Sequence, residues 1–220
     1  MSLLYRASRA GDLVDVSRKL ATAPVTAASL QLLSPLPGGD AESGAAVVAR
    51  VLGRSEEVSA TCRLLERSVG RGADEELGSG ASGDLHRSLE DEGGRGEVEL
   101  RLSLPPARLA ELLGVADELS AALCFAGGRE LRRTVGLGSG VLALDLAGIP
   151  SEPAGWAGPL SEARERLRTE GGGLGLLRAP GKVFREIGSA DRSEVRRRLS
   201  EGLKRVFDPA GVLVPGRRIS

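Results

Sequence analysis

A chain of 220 residues, 41% of them hydrophobic, can bury one sizeable core, and its 30 basic residues are cancelled by 30 acidic ones, which removes the long-range positive field of a nucleic-acid or anionic-membrane binder. No stretch reaches the roughly 20 apolar residues that span a bilayer, and the start MSLLYRASRAGDLVDV lacks the apolar run of a signal peptide, so the expectation is a cytoplasmic protein with no membrane span and no nucleic-acid partner. Five aromatic residues and 27 arginines against 3 lysines mean a core of Leu, Val and Ala, and arginine-rich runs that say little by themselves.

In chain order, Leu13, Val16 and Leu20 predict a helix over 12–22 that Pro24 stops. Strands follow over 29–33 and 45–52. Ser55 is placed to cap a helix with Val58, Cys62, Leu65 and Val69 on one face, closed by Gly70. Residues 70–96, rich in Gly, Ser, Asp and Glu, read as a mobile surface excursion. The alternation of Val98, Leu100, Leu102 and Leu104 with Glu97, Glu99, Arg101 and Ser103 is that of a half-buried strand over 97–104. Ser103 and Pro105-Pro106 open a third helix with Leu109, Leu112, Leu113, Ala116 and Leu119 inward. Further strands are expected over 121–126, 141–146 and 174–178, and a Pro/Gly-rich break over 148–159 leads to a helix opened by Ser161 and ended by the 171–173 glycines. Asp191 and Glu194 form a capping box for a last helix whose Val195, Leu199, Leu203 and Val206 make a buried stripe.

Short strands interleaved with helices, without the long apolar strands of a doubly wound sheet, predict a single α+β domain over 1–220: an antiparallel sheet with helices packed on one face, ferredoxin-like in style. Cys62 and Cys124 lie in apolar segments and read as buried small hydrophobes rather than a disulfide.

Catalytic signals are sparse. Gly136-Leu137-Gly138-Ser139-Gly140 is expected between two strands and Gly171–Gly175 before one, whereas a phosphate cradle runs from a strand through a loop into a helix N-terminus. His86 is the only histidine, so no His-based metal spacing exists, and GxSxG does not occur. Arg196-Arg197-Arg198 with Lys204 and Arg205 reads as the solvated face of the last helix.

The most specific pattern is the ending Leu203-Lys204-Arg205-Val206-Phe207-Asp208-Pro209-Ala210-Gly211-Val212-Leu213-Val214-Pro215-Gly216-Arg217. It resembles the close of flavin-linked oxidases of the vanillyl-alcohol oxidase superfamily, in which a helix runs into FDPxG, an apolar pair, NPG and a basic residue. Arg101-Leu102-Ser103-Leu104-Pro105-Pro106-Ala107, Gly172 to Pro180, Asp84 to Leu89 and Ala27 to Leu33 are similar to segments of the E subunit of glycolate oxidase, so the resemblance covers about residues 12–217. It implies a C-terminal cap, or substrate domain, of an FAD-dependent 2-hydroxy-acid oxidase or dehydrogenase, with the FAD-binding N-terminal domain absent. The implied partners are a flavin-binding domain or subunit, with an iron-sulfur subunit as a further candidate. Arg178 is then the expected substrate-binding residue, and Pro215, Gly216 and Arg217 are cofactor-proximal. FAD is expected only in the assembled oxidase, and no catalytic or metal-binding residue is assigned to this chain. Val214 and Leu174 stand where the family's asparagine and histidine are usual, which leaves open a non-catalytic truncated or degenerate cap kept as an assembly subunit.

Overall fold

The computed structural model describes residues 1–36, 44–91, 96–125, 128–148, 155–187 and 194–209. The first half runs β1 (Ser2–Ala7), α1 (Val14–Ala21), β2 (Ser29–Ser34), β3 (Ala45–Arg50), α2 (Ser55–Val69) and β4 (Glu75–Leu77). After α3 (Ser79–Asp91) the same order returns as β5 (Val98–Ser103), α4 (Leu109–Phe125), β6 (Arg129–Gly136), β7 (Val141–Ala147), α5 (Ala157–Thr169) and β8 (Gly173–Arg178); α6 (Gly181–Ile187) and α7 (Glu194–Phe207) follow. All described strand pairs are antiparallel, in one eight-stranded sheet ordered β4-β1-β3-β2-β6-β7-β5-β8.

Each half is therefore a βαββαβ unit of the split, ferredoxin-like kind. Within the first half the strand order is fourth, first, third, second; within the second it is the mirror sequence, so the two units meet at their second strands. That meeting is the β2–β6 ladder, from Gln31 opposite Gly136 to Ser34 opposite Arg133. The α+β expectation holds, and the ferredoxin-like pattern occurs twice.

Period-two alternation decides what each face carries. One face bears Leu3, Tyr5, Leu32, Val47, Leu100, Leu102, Leu142, Leu144 and Leu176, all buried beneath α1, α2, α4 and α5 in one continuous core. Each of these larger side chains contributes about 1.5–3 kcal/mol on full burial. Leu109, Leu112, Leu113, Ala116 and Leu119 line the inner side of α4 as their spacing predicts. On the opposite face, Leu4, Leu33 and Val48 form a small second cluster with Leu77 and with Leu85 and Leu89 of α3. Among the described helices, α1, α2, α4 and α5 pack on one face, where Val183 of α6 joins the same core, and α3 takes the other.

Several expectations are corrected. The 70–96 stretch is not an excursion without elements: it carries β4 and α3, and Ser82 and His86 are buried on α3, with the Ser2 and Ser82 hydroxyls 2.7 Å apart. Its Gly and Ser content hid a helix that packing holds, since Ser82, Leu85, His86 and Leu89 recur at helical spacing. Residues 121–125 are the last turns of α4 rather than a strand. Strands β1 and β6 were not foreseen; in β6 the arginine-rich RELRRTVG masks the alternation. Arg54, not Ser55, occupies the N-cap of α2, where its backbone N–H donates to Glu57 Oε2 at 3.1 Å. Ser161 lies inside α5, which begins at Ala157. Cys62 is buried, Cys124 half-buried, and both are free thiols.

The last helix differs most. Leu199, Leu203 and Val206, expected as a buried stripe, are 62%, 58% and 73% exposed, and Phe207 is exposed beside them. Their spacing is right for an amphipathic helix, but no described element covers it. Asp191, Val212 and Leu213 lie outside the described residues, as does the side chain of Val195.

The glycine clusters serve as strand connections. Gly136 to Gly140 join β6 to β7, and a Cβ on Gly140 (φ +65°) would sit 1.9 Å from the Leu104 carbonyl oxygen. Gly172 enters β8 so close to β5 that a Cβ would lie 1.9 Å from the Ser103 carbonyl oxygen. Backbone meets backbone there, so no side chain can yield. Gly172→Ala is expected to destabilise the fold by about 1–3 kcal/mol through overpacking, read as a lower melting temperature; an unchanged melt would contradict the described β5–β8 approach.

Candidate functional site

The second half of the sheet keeps a polar reverse face. In register across four strands stand Arg132 on β6, Asp145 on β7, Glu99 on β5 and Arg178 on β8. The row is held by ion pairs: Arg132 Nη2 to Asp145 Oδ2 at 3.6 Å and Arg178 Nη2 to Glu99 Oε2 at 3.3 Å, with Arg178 Nη1 donating to the Gly96 carbonyl at 2.9 Å. Both outer strands break register beside it, β6 between Glu130 and Arg132 and β8 opposite Glu99 and Leu100. Such bulges re-aim side chains and concentrate near functional sites. Here they bring Arg132 and Arg178 onto the same face as the two carboxylates.

One step along, Thr134, Ala143, Arg101 and Gly175 form the next row. Arg101 stands between the two smallest of these, with a half-exposed side chain whose ion-pair contact among the described residues is Glu99 Oε1 at 3.9 Å. At that distance the contact lies beyond hydrogen-bond range, so the guanidinium, which is open to water, is not held by Glu99. Two arginines meet two carboxylates in the first row, and Arg101 adds a third cation beside them. The floor is suited chemically to an anion, and above all to a carboxylate that a guanidinium grips through two hydrogen bonds.

Arg178 does lie on this face, but it is already committed to Glu99 and Gly96. Pro215, Gly216 and Arg217 lie outside the described residues. Sequence reasoning missed Arg132, Asp145 and Arg101. Alternation places Glu99 and Arg101 on the solvent side of β5, and that signal was legible; the row itself needs inter-strand register. Leu174 is buried against Leu102 in the helix-side core, so a leucine there reports packing demands and says nothing about the charged face.

The other strongly charged cluster is structural. Arg133, on the helix side of β6, is buried and donates through Nε to Glu130 Oε1 at 3.1 Å and through Nη2 to Glu130 Oε2 at 2.9 Å, pairs with Asp117 of α4, and shares Glu130 with the Ser120 hydroxyl at 2.6 Å. Burial pulls the Arg133 guanidinium down, and its hydrogen bonds to Glu130 and Asp117 outweigh that and hold it above its ordinary value. Tyr5 is likewise a core group, its hydroxyl pushed up to about 12 by burial first and by Glu66 next.

Neither glycine cluster opens a helix: one links antiparallel strands and the other enters β8. These residues do not fit a flavin pyrophosphate, which is cradled at a helix N-terminus. Among the described residues no three His, Cys, Asp or Glu side chains converge as a metal site, and no helix is long and apolar enough to cross a membrane. No protein-family model matches the chain, and no curated protein matches its sequence.

The two rows differ in what their removal should do. Asp145→Ala takes a carboxylate from beside Arg132, a side chain only 12% exposed, and should lower stability by about 2–3 kcal/mol, as for a mostly buried charge losing a partner. Arg101→Ala should change stability by less than ~0.5 kcal/mol, as at an ordinary surface site. Chemical denaturation of both variants checks this; a large loss with Arg101→Ala would make that arginine a structural residue instead of a spare binding group.

Proposed function

We propose that this chain is the cap, or substrate domain, of an FAD-dependent oxidase or dehydrogenase of a 2-hydroxy acid, and that it works only together with a flavin-binding domain or subunit. The observation that carries the reading is the second half-sheet's reverse face: a charged floor on which no described helix lays buried apolar side chains, with Arg101 between Ala143 and Gly175. The ending of the sequence and its upstream segments, which resemble the family, point the same way. The chain's own share of the reaction is binding and enclosure: Arg101, with Arg178 at the rim, meets the substrate carboxylate, while the floor shuts one side of the site off from water. Oxidation belongs to the flavin held by the other body. Pro215, Gly216 and Arg217 are proposed near that flavin, an iron-sulfur subunit is a further candidate partner, and a cytoplasmic setting accords with both free thiols.

A second reading draws on the same face. Because Arg132 pairs with Asp145 and Arg178 with Glu99, much of the row's charge is spent internally, which suits a non-catalytic assembly subunit.

Purification separates the two. The isolated chain is expected to be colourless, while the chain purified with its flavin-binding partner should show flavin absorbance that bleaches when a 2-hydroxy acid is added without oxygen. Stoichiometric flavin on the isolated chain would contradict the reading of the glycine clusters, and a flavin complex indifferent to 2-hydroxy acids would favour the assembly subunit.

A further inference from the structure

Near the start of its first strand, each βαββαβ unit has a row of reverse-face residues that crosses all four strands. In the second unit that row is Arg132, Asp145, Glu99 and Arg178, and its charges cancel in pairs. In the first unit it reads Ser29, Arg50, Ser2 and Leu77, one cation and no carboxylate. Glu75, on the same face one row on, is spent on Arg6. Arg50 is half-buried, and among the described residues its side chain has no hydrogen bond and no ion pair. Its Nε is fully buried without an acceptor, and on β2 the diagonal neighbour Gln31 has its Oε1 fully buried without a donor. In a chain with 27 arginines an exposed guanidinium means little. A buried N–H with no acceptor is different, because its lost hydration opposes folding, and native structures answer such groups with a water, an ion or a ligand.

We propose that Arg50 and the serines around it form a binding site for hydrogen phosphate. Ser29 stands opposite Arg50 on β2 and Ser2 opposite it on β1, at the cross-strand spacing of about 5 Å between Cβ atoms. From α3, Ser82 brings its hydroxyl to 2.7 Å from that of Ser2, and both residues are buried. In that pair one hydroxyl donates to the other, and the second keeps its own hydrogen for a ligand. Donors therefore come from β2, from β3 and from the contact of β1 with α3. They suit an anion whose acceptor oxygens point in several directions better than the two coplanar oxygens of a carboxylate. Gln31 Oε1 needs a donor in addition, and hydrogen phosphate carries a hydroxyl at neutral pH, where sulfate and carboxylates are fully ionised. A water could bridge Arg50 Nε and Gln31 Oε1, but it would leave the charge of Arg50 unmatched. This site does not depend on the function proposed above, whose anion-binding floor belongs to the other unit.

Thermal melts of the full chain test the site, in potassium phosphate, sulfate, acetate and chloride at neutral pH and one ionic strength. Phosphate and sulfate strengthen burial in any fold, so the quantity read is the shift that Arg50→Met abolishes. In phosphate at a tenfold excess over its dissociation constant, that shift should be about 3–6 °C. It should be less than half as large in sulfate and absent in acetate. In chloride, Arg50→Met should melt no lower than the unaltered chain, because it removes a charge that nothing answers. Ser29→Ala should keep the melting temperature in chloride and weaken phosphate binding by about tenfold. Equal phosphate shifts with and without Arg50 would mean that a water alone fills the site, and would overturn the inference. Undiminished phosphate affinity of Ser29→Ala would overturn it too, as would a fall in the melting temperature of Arg50→Met in chloride, which would make Arg50 a structural residue. A site-dependent shift as large in sulfate or acetate as in phosphate would overturn the assignment to hydrogen phosphate.

Discussion

The β2–β6 ladder is the pairing on which the rest of the structure depends. Each βαββαβ unit ends on one side at its second strand, and an unpaired strand there would expose a row of amide and carbonyl groups. Pairing β2 with β6, continued by the Leu137 amide donating to the Leu30 carbonyl at 3.1 Å, turns two edges into the middle of one sheet. The helix layer then becomes a single core, with α1 and α2 covering one unit and α4 and α5 the other. Register at this seam also fixes which side of β6 carries Val135 into the core and which carries Thr134 and Arg132 away from it.

The two reverse faces, equivalent by topology, differ in chemistry. In the first unit Leu4, Leu33 and Val48 demand an apolar cover, and α3 supplies it. In the second, the corresponding surface holds a row of alternating ion pairs with Arg101 beside it, set by two register breaks. The charged floor is the surface proposed to meet a substrate carboxylate.

Much of the fold was legible because the apolar periodicity of α1, α2 and α4 and the alternation of β5 agree with their burial. Where periodicity was diluted, reading failed for identifiable reasons. Glycine and serine in α3 lower intrinsic helix preference, and tertiary packing on Leu4 and Leu33 overrides it. Arginines in β6 conceal a strand because one of them, Arg133, is buried through a network with Glu130 and Asp117 that no local pattern announces. The exposed stripe of α7 shows the converse: spacing reveals that a helix has an apolar side, but not what covers it. The candidate site was half visible, since alternation puts Glu99 and Arg101 on the face of β5 turned away from the helix-side core, while the row with Asp145, Arg132 and Arg178 exists only through pairing between segments distant in sequence.

Amide hydrogen exchange tests the seam directly. If two units share one sheet, the amides with which β2 and β6 face each other exchange as slowly as those between β1 and β3, through opening of the whole domain. Exchange at those amides as fast as on the outward sides of β4 and β8 would mean that the units are separate sheets with free edges, and the common core and the charged floor derived from their fusion would fall together.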